Sequence, residues 1–286
     1  MTALTATPSG AIALRDRARG LDPVTTALGC ALGLLVLVAI FAPLLAPYPP
    51  NQGDILSANL PPSGAHWLGT DETGRDILSR LLFGARLSLL GPALIILFAT
   101  IIGVTMAIAA VWVGGWFDLV AARVLDLLFA FPGLLVAILA VAILGPGLFA
   151  PVVALALAYT PYIARVVRTV ALRERNLAYI ESCQIVGLSA WRICVRHLVP
   201  NVFPIVRAQV TIAFGAALVD LAAVSYLGLG VQPPQAEWGL MVSNGQSSFL
   251  NGFPAESLSA CAMIILVVVT VNVMGERMAL RAEAAA

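Results

Sequence analysis

Six long apolar runs alternate with polar segments along the chain. A helix needs about 20 apolar residues to cross the hydrocarbon core of a bilayer, and each run is close to or above that length. The pattern therefore predicts an all-α polytopic membrane protein with six transmembrane helices. The predicted spans are Val24–Ala46, Ser88–Val113, Leu119–Leu144, Leu148–Val170, Val202–Leu229 and Ser257–Met274.

The first run is longer than the apolar region of about 7–15 residues in a signal peptide, so we expect an uncleaved first span. The polar segments divide the rest of the chain. The predicted organisation is a cytoplasmic tail at 1–22, a first transmembrane helix at 23–47, an extracytoplasmic loop at 48–87, a five-helix core at 88–278 and a cytoplasmic C-terminus at 279–286. The core contains a cytoplasmic loop at 173–201 and an outer loop at 228–256.

The loop 173–201 is the long polar segment in the inner half of the chain, and its pattern predicts two short amphipathic helices on either side of Gly187. Ser189 is a candidate N-cap of the second helix. We expect Trp191, Cys194, Val195 and Leu198 to form the apolar face of that helix. Pro200-Asn201 is expected to end it, since proline interrupts the backbone hydrogen bonds of a helix.

In the loop 48–87, residues 66–89 predict an amphipathic helix that lies on the membrane surface and leads into the second span. Thr70 is its expected N-cap, and two pairs of opposite charge, Asp71/Arg75 and Asp76/Arg80, are spaced i,i+4. The same pattern fits an ordinary solvated helix face.

Composition agrees with the hydrophobic pattern: 60% of the 286 residues are hydrophobic and 11% are charged. The basic residues are sixteen arginines without a lysine, and they concentrate on one side of the six alternating spans. Because positive charge stays in the cytoplasm, this asymmetry predicts that both termini and the loop 173–201 are cytoplasmic, an N-in/C-in topology. The net charge of +1 gives no reason to expect a nucleic-acid partner.

Catalytic chemistry is not expected of this chain. Its two histidines, His66 and His197, fall on opposite sides of the predicted membrane, and a Walker A motif requires a lysine. The scattered cysteines and the pair Cys194/His197 fall short of the three or four ligands of a zinc site, so we expect no metal.

Four charged residues fall inside predicted spans. We expect Arg123 and Asp126 to pair locally near the cytoplasmic boundary, Arg207 to extend its guanidinium to the inner surface, and Asp220 to lie near the outer surface.

The polar loop resembles the "EAA" loop of ABC-importer permeases: it has Glu181-Ser182-Cys183, then Gly187, then the ending Val199-Pro200. It departs from that pattern in having serine and cysteine for two alanines, and His197 for an aliphatic residue. Three further stretches are similar to the C-type permease of the dipeptide/oligopeptide/nickel importers, and the resemblance covers about residues 25–275. They are LGTDETGRDILSRLLFGARLSL, FPGLLVAILAVAILGPGL and YLGLGVQPPQAEWGLM, at 68–89, 131–148 and 226–241.

The resemblance implies a type I (MetI-like) ABC importer permease core of five helices plus an extra N-terminal span, in the bacterial inner (plasma) membrane. Its implied partners are a homologous B-type permease, two ABC ATPase subunits or domains that bind ATP and magnesium, an extracytoplasmic substrate-binding protein and a peptide substrate. The implied ATPase-docking residues are Tyr179, Ile180, Glu181, Ser182, Cys183, Gly187, Leu188, Trp191, Arg196, His197 and Pro200. The binding protein is expected to contact Gln232, Pro233, Pro234 and Trp238.

Other functions stay open at this point. The same architecture could import nickel chelates or glutathione instead of peptides. A secondary transporter or channel would require inverted repeats and charges at the midplane, and would leave the loop 173–201 without a role. An intramembrane enzyme would need a paired base and nucleophile, which the sequence does not offer.

Overall fold

A computed structural model describes the backbone of residues 23–285 and the side chains of residues 23–281. The tail predicted at 1–22 lies outside the described residues. The described chain is almost entirely helical. In chain order the helices are α1 Pro23–Ile40, α2 Ala42–Leu45, α3 Ile77–Val113, α4 Gly115–Phe129, α5 Gly133–Leu144, α6 Phe149–Arg175, α7 Ala178–Ile185, α8 Ala190–Ile193, α9 Val199–Tyr226, α10 Trp238–Leu250 and α11 Ala255–Ala285.

Within the described residues, five helices are long and apolar enough to cross a membrane, and one bent pair adds a sixth candidate. The straight candidates are α1, α3, α6, α11 and the continuous helical stretch from α8 through α9. The third predicted span is different: α4 and α5 meet at an angle of 82°. Pro132 is the N-cap of α5, where its missing N–H and fixed φ favour a break in the helix.

The second span begins at Ile77, and the surface helix predicted at 66–89 is wrong. Asp76 is the N-cap, because its side chain accepts a hydrogen bond from the Ser79 N–H at 2.8 Å. Thr70 is buried, and its hydroxyl accepts a hydrogen bond from the Leu60 N–H at 2.8 Å within the preceding loop. Arg80 is fully buried, which excludes a helix that presents this face to water or lipid headgroups.

The bundle is built on the contact between α3 and α6, which pack against each other along much of their length. Gly103 allows this approach, because a Cβ atom there would lie 3.0 Å from the Thr160 carbonyl oxygen of α6. The long helices α9 and α11 pack beside this pair, and α1 contacts α3 and α11 at the edge. Buried apolar side chains, for example Ile95, Leu155 and Leu221, fill the centre.

We call the end of the bundle that the arginine distribution assigns to the outside the outer end. There, residues 46–76 fold onto α10 and the start of α11. The Arg80 guanidinium donates to the carbonyl oxygens of Pro50 (3.1 Å) and Pro234 (3.4 Å), and its Nε lies 3.5 Å from the Asp71 carboxylate. The predicted pair Asp71/Arg75 is confirmed at 2.7 Å.

The other predicted pair, Asp76/Arg80, is wrong. Asp76 bonds to His66 (2.9 Å) and to Ser79, because its carboxylate caps α3 and faces the loop. The prediction of an exposed loop at 228–256 is also wrong in its central part, where α10 packs into the bundle. Trp238 at the start of α10 is fully buried, and its Nε1 donates to the Leu81 carbonyl oxygen at 3.0 Å.

Candidate functional site

A cluster of three hydrogen-bonded side chains closes the base of the loop 173–201. The Glu174 carboxylate, in the last turn of α6, accepts hydrogen bonds from the Tyr179 hydroxyl and from Nδ2 of Asn201 at 2.7 Å. Asn201 Nδ2 also donates to the Tyr179 hydroxyl oxygen at 2.8 Å. Because these residues belong to α6, α7 and α9, the cluster ties the small helix α7 to both membrane helices that flank the loop.

The Tyr179 hydroxyl is held in its neutral form. Partial burial and then the hydrogen bond to Glu174 raise its pKa to about 12. The ring of Tyr179 also lies beside that of His197, with 6.3 Å between the ring centroids. Tyr179 thus anchors α7, and both it and His197 are half-buried.

Gly187 forms the hinge that the sequence predicts. Its φ of +82° lies in the left-handed region that favours glycine. Its N–H bonds to the Gln184 carbonyl oxygen at 2.9 Å, and the Leu188 N–H bonds to that of Cys183 at 3.1 Å, so the last turn of α7 closes on itself. A Cβ at Gly187 would meet no atom within 4 Å, so backbone conformation alone requires the glycine.

The second predicted helix exists, but its predicted end is wrong. It starts at Ala190 after Ser189, whose side chain makes no capping hydrogen bond, and it continues through Pro200-Asn201 to Tyr226. A π-helical turn at Cys194–Leu198 precedes the proline, and the Val199 N–H bonds to the Cys194 carbonyl oxygen. This wider turn accommodates a proline ring that would otherwise collide with the preceding turn.

The buried face of the loop consists of Ile180, Ile193, Cys194 and Leu198. The last two join an apolar cluster that includes Val111 of α3 and Val167 of α6. The predicted apolar face is therefore half right, because Trp191 and Val195 point outward. Ile180 is 1% exposed, so among the predicted docking residues it holds the loop in place and offers no surface to a partner.

The exposed face of the loop carries a patch that we call the apolar tip: Ile185 (81% exposed), Val186 (79%) and Trp191 (77%). The exposed Glu181 lies one helical turn before Ile185 on α7. Large apolar side chains grouped on a polar segment are typical of a protein–protein contact. The sequence analysis missed Ile185 and Val186, although they stand between Glu181 and Gly187.

The remaining predicted docking residues lie around the apolar tip. The Ser182 hydroxyl donates to the Ala178 carbonyl oxygen at 2.9 Å, and Cys183 and Leu188 are half-buried. Arg196 and Pro200 are exposed farther along the second helix. Glu174 and Asn201 were not among the predicted docking residues.

At the outer end, Gln232, Pro233 and Pro234 are exposed on the segment that precedes α10. Trp238 is fully buried, which removes it from the predicted contacts with a binding protein. Among the residues that the structure describes, no three His, Cys, Asp or Glu side chains are grouped to hold a metal ion.

The predicted local pair Arg123/Asp126 is wrong. Asp126 bonds to Arg165 of α6 at 2.7 Å, because the two helices pack with these residues facing each other. Arg207 lies over the ring of Phe203, 5.2 Å from its centroid. Asp220 accepts a hydrogen bond from the Tyr159 hydroxyl at 2.8 Å.

Comparison with protein families gives two matches. Residues 99–281 match the model described as binding-protein-dependent transport system inner membrane component. Residues 27–62 match the N-terminal TM domain of oligopeptide transport permease C.

Curated relatives cover most of the chain. A glutathione transport system permease protein (GsiD) of Pectobacterium atrosepticum is 39% identical over 88% of this chain and 84% of its own. A probable D,D-dipeptide transport system permease protein (DdpC) of Escherichia coli is 34% identical, over 89% and 85%. A dipeptide transport system permease protein (DppC) of Alkalihalophilus pseudofirmus is 37% identical, over 84% and 79%.

Solved structures share the fold. An inward-facing MetNI methionine ABC transporter chain superposes with a TM-score of 0.58 at 18% identity, over 72% of this chain and 97% of that chain. A chain of an amino acid ABC transporter, solved with histidines, superposes with a TM-score of 0.55 at 17% identity, over 71% and 94%.

Proposed function

The chain belongs to the family of binding-protein-dependent transport system inner membrane components, and we propose that it forms half of the pathway of an ATP-driven peptide importer. Members of this family are multi-pass permeases of the bacterial inner membrane, and their names assign them transport. In the proposed complex this chain pairs with a homologous B-type permease. Two ABC ATPase subunits or domains, with ATP and magnesium, supply the energy.

The observation that carries the proposal is the apolar tip on a loop that is tied to two membrane helices. An ATPase that closes on Ile185, Val186 and Trp191 would pull on α7. The Glu174–Tyr179–Asn201 cluster would pass that movement to α6 and α9. Because a chain without lysine has no Walker A motif, the energy of ATP has to enter through such a contact.

The orientation that follows is N-in/C-in, with the loop 173–201 in the cytoplasm. Its support is the distribution of the arginines. The exposed segment Gln232–Pro234 then faces outward, where an extracytoplasmic binding protein would deliver substrate.

The proposed substrates are small peptides. The relatives named above carry glutathione, a D,D-dipeptide or dipeptides according to their names, and all of these are short chains with a free ammonium and carboxylate. Within this class, di- and oligopeptides are the proposed cargo and glutathione is the alternative. A nickel chelate is an alternative outside the class, and the solute held by the cognate binding protein distinguishes the three.

The test is reconstitution. The chain, its partner permease, the ATPases and the binding protein are placed in liposomes, and uptake of labelled peptide is measured with and without ATP. We expect uptake that requires both ATP and the binding protein. In a Glu181→Lys complex we expect ATP hydrolysis to continue while uptake falls, because the acidic side chain beside the apolar tip is reversed in charge.

Gln184→Lys provides the matched control, since it places the same side chain at an exposed position of α7. Uptake that persists without ATPases and follows an ion gradient would replace the proposal with a secondary transporter. Normal coupling in the Glu181→Lys complex would remove Glu181 from the proposed coupling contact.

A further inference from the structure

Four polar side chains follow one another at three-residue intervals along α6, a helix that is long and apolar enough to cross a membrane. Each bonds to a polar side chain of a neighbouring helix, and we call the four pairs the polar ladder. Its rungs are Tyr159–Asp220 (2.8 Å), Tyr162–Gln209 (2.9 Å), Arg165–Asp126 (2.7 Å) and Arg168–Asp118 (2.6 Å).

The rungs turn around α6 as they descend. Three residues rotate a helix by about 300°, so each rung is displaced by about 60° from the one before. The first two rungs accordingly reach α9, and the last two reach α4. From Tyr159 to Arg168 the ladder extends about 14 Å along the helix axis at 1.5 Å per residue.

The two central rungs are exposed on the surface of this chain. Arg165 and Asp126 keep 43% and 54% of their side-chain surface accessible, and Tyr162 is 36% exposed. Arg165 lies five residues before Val170, the predicted inner end of this span, about 8 Å along the helix. The pair therefore lies in the inner half of a hydrocarbon core about 30 Å thick.

Lipid is a poor neighbour for this face, because hydrocarbon offers no hydrogen bonds to an ion pair, a phenol or an amide. The exposed face of α5 shows the contrast: Leu135, Leu139 and Ile143 are 59–72% exposed, and all three are apolar. Water or protein therefore covers the ladder in the membrane, while α5 is suited to lipid.

We propose that the two central rungs line the route by which substrate crosses this half of the transporter. This rests on the proposed function. Each rung offers both a donor and an acceptor, and Arg165–Asp126 offers both charges, which suits the ammonium, carboxylate and amide groups of a peptide. Because every rung is already satisfied within the chain, a passing peptide gains modest contacts and can leave again.

The test measures access of water to single cysteines in the assembled transporter. ATP-driven uptake of alanyl-alanine and S-methylglutathione is measured first with the unmodified chain, and failure to import either one counts against the proposed function. Cys30, Cys183, Cys194 and Cys261 are then replaced by alanine. Any cysteine whose replacement abolishes uptake is kept and its labelling is subtracted as background, and the ladder is judged with whichever peptide this parent imports.

Tyr162→Cys is then compared with Leu157→Cys, which lies on the same helix and is similarly exposed at 41% but belongs to an apolar stripe with Val153. With a charged, membrane-impermeant thiol reagent, we expect Tyr162→Cys to react at least about tenfold faster. An apolar lipid environment raises the pKa of a thiol above its ordinary value of about 8.5. Each pKa unit of increase removes about nine-tenths of the reactive thiolate, and the labelling rate falls with it. The imported peptide should slow the labelling of Tyr162→Cys and leave the labelling of Leu157→Cys unchanged.

Equal, slow labelling of the two variants, with and without ATP, in a complex that imports peptide would overturn the inference and leave the partner permease as the cover of this face.

A charge exchange tests the Arg165–Asp126 rung. Combining Arg165→Asp with Asp126→Arg restores an ion pair in reverse order. The double variant should therefore regain the assembly and ATP hydrolysis that either single change removes. A rung on the route should then change the KM of uptake several-fold, whereas an unchanged KM would show that the pair only joins α4 to α6.

Discussion

Replacing Trp191 by alanine should weaken the binding of the ATPase while leaving the permease itself intact. The side chain is 77% exposed, so few of its contacts within this chain are lost on truncation. In the proposed complex the same surface is buried against the ATPase. The variant therefore separates a role in docking from a role in folding.

The size of the effect follows from the area still available. A buried tryptophan side chain covers about 150–250 Å², and at 77% exposure on the order of 150 Å² remains for a partner. At about 25 cal/mol per Å² that area corresponds to about 4 kcal/mol. Ordering the side chain costs about 0.5–1.5 kcal/mol, which leaves about 2.5–3.5 kcal/mol, or roughly a 70- to 370-fold rise in Kd.

The assay is a titration of the purified permease pair with the ATPase in detergent, with the melting temperature of the permease measured in parallel. Trp67→Ala is the matched control, since Trp67 is 71% exposed but lies at the outer end. An unchanged Kd for Trp191→Ala, or an equal loss for Trp67→Ala, would refute the assignment of the apolar tip as the docking surface.

Three further outcomes test the structure. Gly187→Ala puts a side chain at φ +82°, and about 1–2 kcal/mol of backbone strain should lower the uptake obtained per ATP hydrolysed. Gly252→Ala is the control, because it lies at φ +90° with open surroundings at the outer end, and it should leave this ratio unchanged. The stability that the neutral Tyr179 hydroxyl contributes is fully present below its ordinary pKa of 10.0 and is lost as pH rises through about 12. Titration of this group should therefore leave uptake unchanged between about pH 6 and 9. A shift of the pH profile of uptake in Tyr179→Phe within that range would contradict this. Trp238→Ala should cost about 3–5 kcal/mol of stability, seen as a lower melting temperature in detergent, because the side chain is fully buried; an unchanged melting temperature would place Trp238 outside the core.

Much of the architecture follows from short stretches of the sequence taken by themselves. A run such as Ser88–Val113 is apolar over the thickness of a bilayer, and its neighbours cannot alter that requirement. The hinge at Gly187 is also local, because the left-handed backbone conformation that ends α7 favours glycine. The missing lysine is a property of composition alone, and it excludes a Walker A motif within this sequence whatever the fold.

The partners of polar side chains depend on the tertiary structure. Spacing along one helix predicted Asp126 with Arg123, and the packing of α4 on α6 brings Arg165 to it instead. Trp238 looks like surface in a loop rich in proline and glycine, and it is buried because α10 packs on the bundle. Glu174 and Asn201 are 27 residues apart, and they meet because α6 and α9 run side by side.

The physical reason lies in what a membrane helix leaves visible in its sequence. A helix that is apolar on all sides carries almost no periodic signal to show which face meets lipid and which meets another helix. The sequence therefore determined the approximate positions of the apolar spans and the hinge of the loop. The tertiary structure decided which helices touch, and with them the cluster at the base of the loop, the apolar tip and the polar ladder.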